Sequence, residues 1–390
     1  MKIDTLLAHA GRDPLRFGGL VNPPVSRAST ILHPSMASFR RAQADKHGQP
    51  YYGRFGTASH RMLEEACIAL DGGCGAVLFP SGLAACAGAL SAVTAPGAHL
   101  LVVDSVYGPV REFCEVDLVS RGVEVEFFEP TIGAAIAGRL KPSTCAVYCE
   151  SPGSLTFEIQ DLPAICEAVH RHDVAVLVDN TWATPLFCRP LALGADIAIQ
   201  AATKYLVGHS DAMLGVAVAN ERRLGALRAT AARQGTSVGA DDCALALRGL
   251  RTLGVRMRQH QASALTVAQW LAERPEVRRV DYPALPQDPG YARWKRDFSG
   301  ASGLFGFELH PVPEAAVDAF IDGLALFGIG VSWGGFESLV LPSHPKRSLA
   351  PAGHGPLLRL HIGLEDPQDL VDDLSQGLER FVRPHHGAYA

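Results

Sequence analysis

Residues 72–103 read GGCGAVLFPSGLAACAGALSAVTAPGAHLLVV and contain no Asp, Glu, Lys or Arg. A run of this length could cross a bilayer. However, Pro80-Ser81-Gly82 and Ala95-Pro96-Gly97 divide it into an apolar run, an Ala-rich helix and a second apolar run. The stretch therefore reads as β-α-β, buried inside a folded domain, and the fold class follows from it.

The same alternation continues outward. CGAVLF, HLLVV, VEVEFF, CAVYCE, VAVLVDN, DIAIQAA and LGVAVAN are the strand candidates between residues 59 and 250, separated by helical stretches. Such a pattern predicts an α/β domain with a mainly parallel sheet flanked by helices. Residues 1–58, rich in Pro, Gly and Arg, read as an extended N-terminal arm of the kind that reaches a neighbouring subunit. Residues 251–390 read as a smaller α+β C-terminal domain, with GLFGFELH and LLRLHIGL as strands and 366–383 as an amphipathic helix.

Composition narrows the function. The chain has 390 residues, 47% hydrophobic and 19% charged, with a net charge of -5, which gives no general attraction to nucleic acid or anionic lipid. The nine cysteines are scattered without a Cys-x-x-Cys pair, so neither a disulfide framework nor a zinc site is expected, and a reducing cytoplasm fits. The charged N-terminus MKIDTLLAHAGRD gives no reason to expect an export signal. Walker and Gly-x-Gly-x-x-Gly motifs are missing, and His170 and His172 lie two apart on a helix end, so no metal is expected.

Ligands of such sheets sit at the strand carboxyl ends. In VAVLVDNTWATP, residues 174–185, Asp179 ends an otherwise apolar strand: either a turn-forming Asp-Asn or a carboxylate that holds a cation. In QAATKYLVGHSD, residues 200–211, Lys204 has no charged neighbour for several residues before it. About one helix and one strand separate it from Asp179, so both side chains should emerge at the same end of adjacent strands. A solvated loop lysine is the alternative. A desolvated, nucleophilic lysine beside an aspartate that pairs with a protonated ring nitrogen points to pyridoxal phosphate.

A phosphate site should accompany them. In FPSGLAACAGAL, Ser81, Gly82 and Leu83 open a helix after a strand, which binds anions or is a plain N-cap; Thr203 could add a hydroxyl. In YYGRFGT, Tyr52 and Arg54 would point the same way in an extended chain and grip a phosphate, unless they lie in an ordinary turn. Tyr107, just past a strand end, could stack on an aromatic cofactor or stand exposed in a loop. Arg359, in an apolar strand, needs an anion such as a substrate carboxylate if it faces inward, and faces water if its strand is at an edge.

SPGS at 151–154, VDNTWA, QAATKYLVGHSDAM, RGLRTLGVRMRQH, SGLFGF, SWGGFESL and RLHIGLED together resemble the cysteine and methionine metabolism family of pyridoxal phosphate enzymes, over about residues 3–382. The resemblance implies fold type I and a cofactor carried covalently by Lys204, with Asp179 on its ring nitrogen and Tyr107 stacked on its ring. Ser81, Gly82, Leu83 and Thr203 would hold the phosphate. Tyr52 and Arg54 would reach the phosphate of a neighbouring subunit, making a dimer obligatory and a tetramer expected. Arg359 would bind the substrate α-carboxylate, and Ser332 and Trp333 would line its pocket.

The implied reaction is β-elimination of L-cystathionine to homocysteine, pyruvate and ammonia, serving methionine biosynthesis, with Lys204, Tyr107 and Tyr52 as catalytic residues. Trp333 stands where many γ-specific relatives carry Leu, and Ala201 stands where many relatives carry a phosphate-binding Ser. A γ-eliminating or γ-replacing enzyme is the alternative. A cofactor-binding regulator is a further one, against which the lack of an appended DNA-binding domain counts.

Overall fold

A computed structural model describes residues 1–349 and 355–382. All seven strand candidates of the first domain form strands: β1 (Gly75–Phe79), β2 (His99–Val103), β3 (Glu124–Phe128), β4 (Thr144–Glu150), β5 (Ala175–Asp179), β6 (Ile197–Gln200) and β7 (Gly215–Ala219). They make one sheet in the order β1-β7-β6-β5-β4-β2-β3. Every residue of β2, β5, β6 and β7 is buried, as expected of strands covered on both faces. β3 at the edge carries Glu124 and Glu126, charges that discourage pairing with another chain.

β2 to β6 run parallel, and β7 is antiparallel to both β1 and β6. The physical reason is the connection. A parallel return needs a crossover of a dozen or more residues, usually a helix. Residues 201–214 form only turns, so β7 comes straight back beside β6. That turn holds Lys204. Because β1 pairs antiparallel with β7, it runs in the same sense as β6, and the carboxyl ends of β1, β2, β4, β5 and β6 share one edge of the sheet.

The second sheet contains β8 (Val277–Asp281), β9 (Leu304–Leu309), β10 (Gly328–Ile329), β11 (Leu339–Ser343) and β12 (Leu357–His361), in the order β10-β11-β12-β9-β8. The C-terminal amphipathic helix spans Pro367–Val382. RGLRTLGVRMRQH lies within one helix, Ala240–Ala272, which buries Leu250, Leu253 and Met257. This helix runs unbroken through the expected boundary at 250/251, because its apolar face is long enough to pack against both sheets' layers. Buried apolar clusters fill both faces of the large sheet.

The arm is less irregular than its composition suggests. Helices form at Ile3–His9 and Met36–Ala44. The first is tied down by Arg251, which donates to the carbonyls of Leu7 and Ala10. Between them most residues are exposed, with Leu32 89% and Val21 64% accessible. Among the described residues no helix is long and apolar enough to cross a membrane, and residues 72–103 form β1, a helix (Gly82–Val93) and β2.

Candidate active site

Asp179 ends β5, in register with Glu150 of β4 and Ile199 of β6. It is buried, and its two oxygens are treated differently. Oδ1 accepts the Thr181 backbone N–H at 2.9 Å and the Thr181 hydroxyl at 2.5 Å. Oδ2 faces the Cys86 thiol, a weak donor, at 3.6 Å. Burial pushes the Asp179 carboxyl up, against the bonds from Thr181 and the charge of Lys204. An ionised Asp179 therefore has room and need for one further cationic donor at Oδ2, which is what a protonated ring nitrogen supplies.

Lys204 is one strand away. Its Nζ donates to the Ser332 hydroxyl at 2.5 Å and lies 5.2 Å from the Trp333 ring centre. Burial, reinforced by the Arg359 charge, lowers its pKa to about 8, while Asp179 opposes the shift. At that value a usable fraction is the neutral, nucleophilic amine near neutral pH. The lysine expected from its sequence surroundings to be desolvated is so.

Two unusual backbone positions press the second sheet's loop onto this lysine. Gly334, at φ +90, leaves so little room that a Cβ would lie 3.0 Å from the Lys204 Cα. Ser332 adopts φ +84, a left-handed conformation that costs a non-glycine residue roughly 1–3 kcal/mol and occurs where surrounding structure enforces it. Its carbonyl accepts Arg359 Nη2 at 3.1 Å. β12 is an interior strand, between β11 and β9, so Arg359 is not an edge residue facing water. Ser332 thus bridges Lys204 and Arg359, and Trp333 packs against Lys204.

At the other end, the helix Gly82–Val93 points its N-terminus into the same edge. The Ser81 Oγ accepts Ala84 N–H at 3.1 Å and keeps its own proton to donate. The amides of Gly82 and Leu83, in the first turn, have no intrahelical partner and suit an anion. A Cβ on Gly82 would sit 2.4 Å from the Ala201 Cβ, so glycine is needed for the two turns to meet. Thr203 is more occupied than expected. Its hydroxyl donates to the Leu214 carbonyl and accepts the Leu214 N–H, closing the base of the Lys204 turn.

Tyr107 follows β2 and is 45% exposed, with its backbone N–H on Glu150 Oε2 at 2.7 Å. Loss of water and the carboxylates of Glu150 and Asp179 raise its pKa, and Arg359 opposes them.

Tyr52 and Arg54 lie apart from this cluster. Gly53–Phe55 is a 3-10 turn and not an extended segment, because Gly53 packs where a Cβ would be 1.8 Å from the Ala28 carbonyl oxygen. Arg54 donates to the Ala232 carbonyl at 3.1 Å and lies 4.6 Å over the Phe55 ring. With Tyr52 it lines a groove of about 420 Å³, open to solvent, with Phe39, Lys46 and Tyr51.

Sequence reasoning missed Thr181, Cys86 and Glu150. Glu150 ends CAVYCE as Asp179 ends VAVLVD, and the same test would have found it. No sequence signal links Cys86 to Asp179.

The donor set fits pyridoxal phosphate: a desolvated amine, a buried carboxylate oxygen awaiting a cationic donor, and a glycine-tight turn with free amides. The family model for Cys/Met metabolism PLP-dependent enzymes matches residues 4–379. A putative cystathionine beta-lyase of Rhizobium johnstonii is 48% identical, over 96% of this chain and 95% of its own. The cystathionine beta-lyase MetC of Escherichia coli is 46% identical, over 98% and 99%. The crystal structure of metB from Corynebacterium glutamicum superimposes with a TM-score of 0.90 at 28% identity, covering 98% of each chain. The chain belongs to the Cys/Met metabolism family of pyridoxal phosphate-dependent enzymes.

Proposed function

We propose that this protein cleaves L-cystathionine by β-elimination, releasing homocysteine, pyruvate and ammonia. The observation that carries the reading is the Lys204 amine: desolvated, held at 2.5 Å by Ser332, with Arg359 on the same serine's carbonyl. The beta-lyase relatives at 46% and 48% identity support the substrate.

Pyridoxal phosphate, when bound, supplies an electrophilic carbonyl for the amino group and a sink for the electrons of the broken Cα–H bond. Lys204 would hold it covalently, Asp179 Oδ2 its ring nitrogen, and Ser81, Gly82, Leu83 and the Thr203 turn its phosphate. Tyr107 would cover its ring. Arg359 pairs with the substrate α-carboxylate and fixes which Cα bond faces the Lys204 amine. The Lys204 amine takes the α-proton and returns a proton to the departing sulfur. Ser332 keeps that amine in place between the two transfers, and Trp333 shields it from water.

Tyr52 and Arg54 complete the phosphate site of a second copy. Their separation from Lys204 within one chain, and the open groove they line, support this reading, which makes a dimer the smallest active unit and a dimer of dimers the expected assembly. The unpaired cysteines fit a cytoplasmic setting.

Product analysis after incubation of the cofactor-loaded protein with L-cystathionine tests the reading. Pyruvate with homocysteine is expected. Release of 2-oxobutyrate with cysteine would instead make it a γ-lyase.

A further inference from the structure

Asp104, the residue after β2, is fully buried and does not belong to the site just described. Its carboxylate collects four donors. Oδ1 accepts Arg111 Nη2 at 2.6 Å and Ser348 N–H at 2.8 Å. Oδ2 accepts Arg347 Nε at 2.9 Å and Leu349 N–H at 3.0 Å. Three of the four donors come from Arg347, Ser348 and Leu349, a segment that leaves the second sheet after β11. Arg347 is itself buried and reaches on to Glu158 at 2.7 Å, while Arg111 donates to the Ser348 hydroxyl at 3.0 Å. Lys346 adds an exposed pair with Glu115.

The place of this knot matters. Tyr107 stands three residues after Asp104. The segment 346–349 lies in the connection between β11 and β12, and β11 pairs Leu341 opposite Arg359. Upstream of β11 is the Ser332–Trp333 loop. One buried carboxylate therefore ties the wall that carries Arg359, Ser332 and Trp333 to the foot of the loop that carries Tyr107. Buried ionic networks stabilise little relative to apolar packing, but they fix geometry, since every donor must be met. Two backbone N–H groups among the donors mean that chain position, and not only side-chain charge, is being held.

We infer that Asp104 is a positioning residue: by clamping Arg347–Leu349 it sets the spacing between Tyr107 and Arg359, and with it the affinity for the amino-acid substrate. This rests on the proposed function, because it takes Arg359 as the carboxylate-binding group.

Asp104→Asn tests it with little change of shape. An amide oxygen can still accept at one position, but its NH2 must face either Arg347 Nε and Leu349 N–H or Arg111 and Ser348 N–H, donor against donor. The expected result is a KM for L-cystathionine raised about tenfold to a hundredfold, with kcat and the visible spectrum of the bound cofactor nearly unchanged. Faster hydrogen exchange over 344–349 should accompany it, and Arg347→Ala should reproduce the KM effect. Lys346→Ala, which removes only the exposed pair, should leave KM as it is. A lowered melting temperature with an unchanged KM in both Asp104→Asn and Arg347→Ala would reduce Asp104 to a structural brace and overturn the inference. Should the unaltered protein release no product from L-cystathionine, the proposed function fails separately. A spectrophotometric titration with L-alanine, which carries only the α-amino and α-carboxylate groups, still reads the Asp104 effect on affinity.

Discussion

The Lys204 site and the Tyr52–Arg54 groove hold similar residue types in opposite physical states. Around Lys204 each polar group meets another inside the chain: Asp179 meets Thr181, Lys204 meets Ser332, and Arg359 meets the Ser332 carbonyl. In the groove, Tyr52 is 41% exposed and Arg54 rests on Phe55 and one carbonyl. The first region is a site built by one fold. The second is an open groove on the arm, which the proposed function assigns to a second copy of the chain.

The largest effect should come from the complete region. Lys204→Ala should lower turnover by about 10³-fold or more, measured as pyruvate release, because in the proposed function one side chain would both hold the cofactor and move the proton. Substantial remaining lyase activity would break the account of this region. The groove makes a different prediction. Arg54→Ala should weaken cofactor binding by about tenfold to a hundredfold, the value of a charge-assisted bond. At limiting cofactor, mixing Arg54→Ala subunits with Lys204→Ala subunits should raise activity above that of either variant alone, since one hybrid site then has both residues. No recovery on mixing would place Tyr52 and Arg54 in a role confined to their own chain.

Arg359→Ala should reduce kcat/KM by about tenfold to a hundredfold, mostly through KM, from the loss of a charged hydrogen bond to the carboxylate. Arg359→Lys should recover little, because a point charge cannot reproduce the planar fork.

The last effect leaves activity near neutral pH alone and concerns acid stability behind the site. His260 and His361 pack with ring centres 5.3 Å apart and planes tilted by 46°, between Tyr205 and the Gly335 carbonyl, facing Arg256, Arg359 and Lys204. Burial pushes His260 down to about 4 and His361 to about 3. Both are neutral when folded, whereas an unfolded histidine gains its proton near 6.5. The unfolded chain therefore binds more protons below that value, and the stability they contribute is present above about pH 6.5 and lost as pH falls toward 4 and 3. His361→Gln should flatten the pH dependence of urea unfolding over that window by about 1.4 kcal/mol per pH unit, one proton's worth.

The same contrast governs what could be read in advance. Strand ends in a parallel sheet are marked by apolar runs, so Asp179, Lys204, Ser81 and Tyr107 could be placed on one edge from the sequence. Arg359 was marked by its apolar neighbours, but its interior position in the second sheet was not, since β8 reads VRRVD, β11 contains Pro342 and β10 has two residues. The 3-10 turn at Gly53 was hidden because its cause is a close contact with Ala28, far along the arm. The Asp104 clamp was hidden for the same reason: three of its donors, Arg347, Ser348 and Leu349, lie 243 to 245 residues along the chain. Periodicity reports local burial, and pairing across long loops leaves no trace in it.

The most direct test of the central claim is borohydride reduction of the cofactor-loaded protein followed by peptide mass spectrometry. The account predicts a single pyridoxyl group on the peptide that contains Lys204, and none after Lys204→Ala. A pyridoxyl group on any other lysine of the unaltered protein would contradict it.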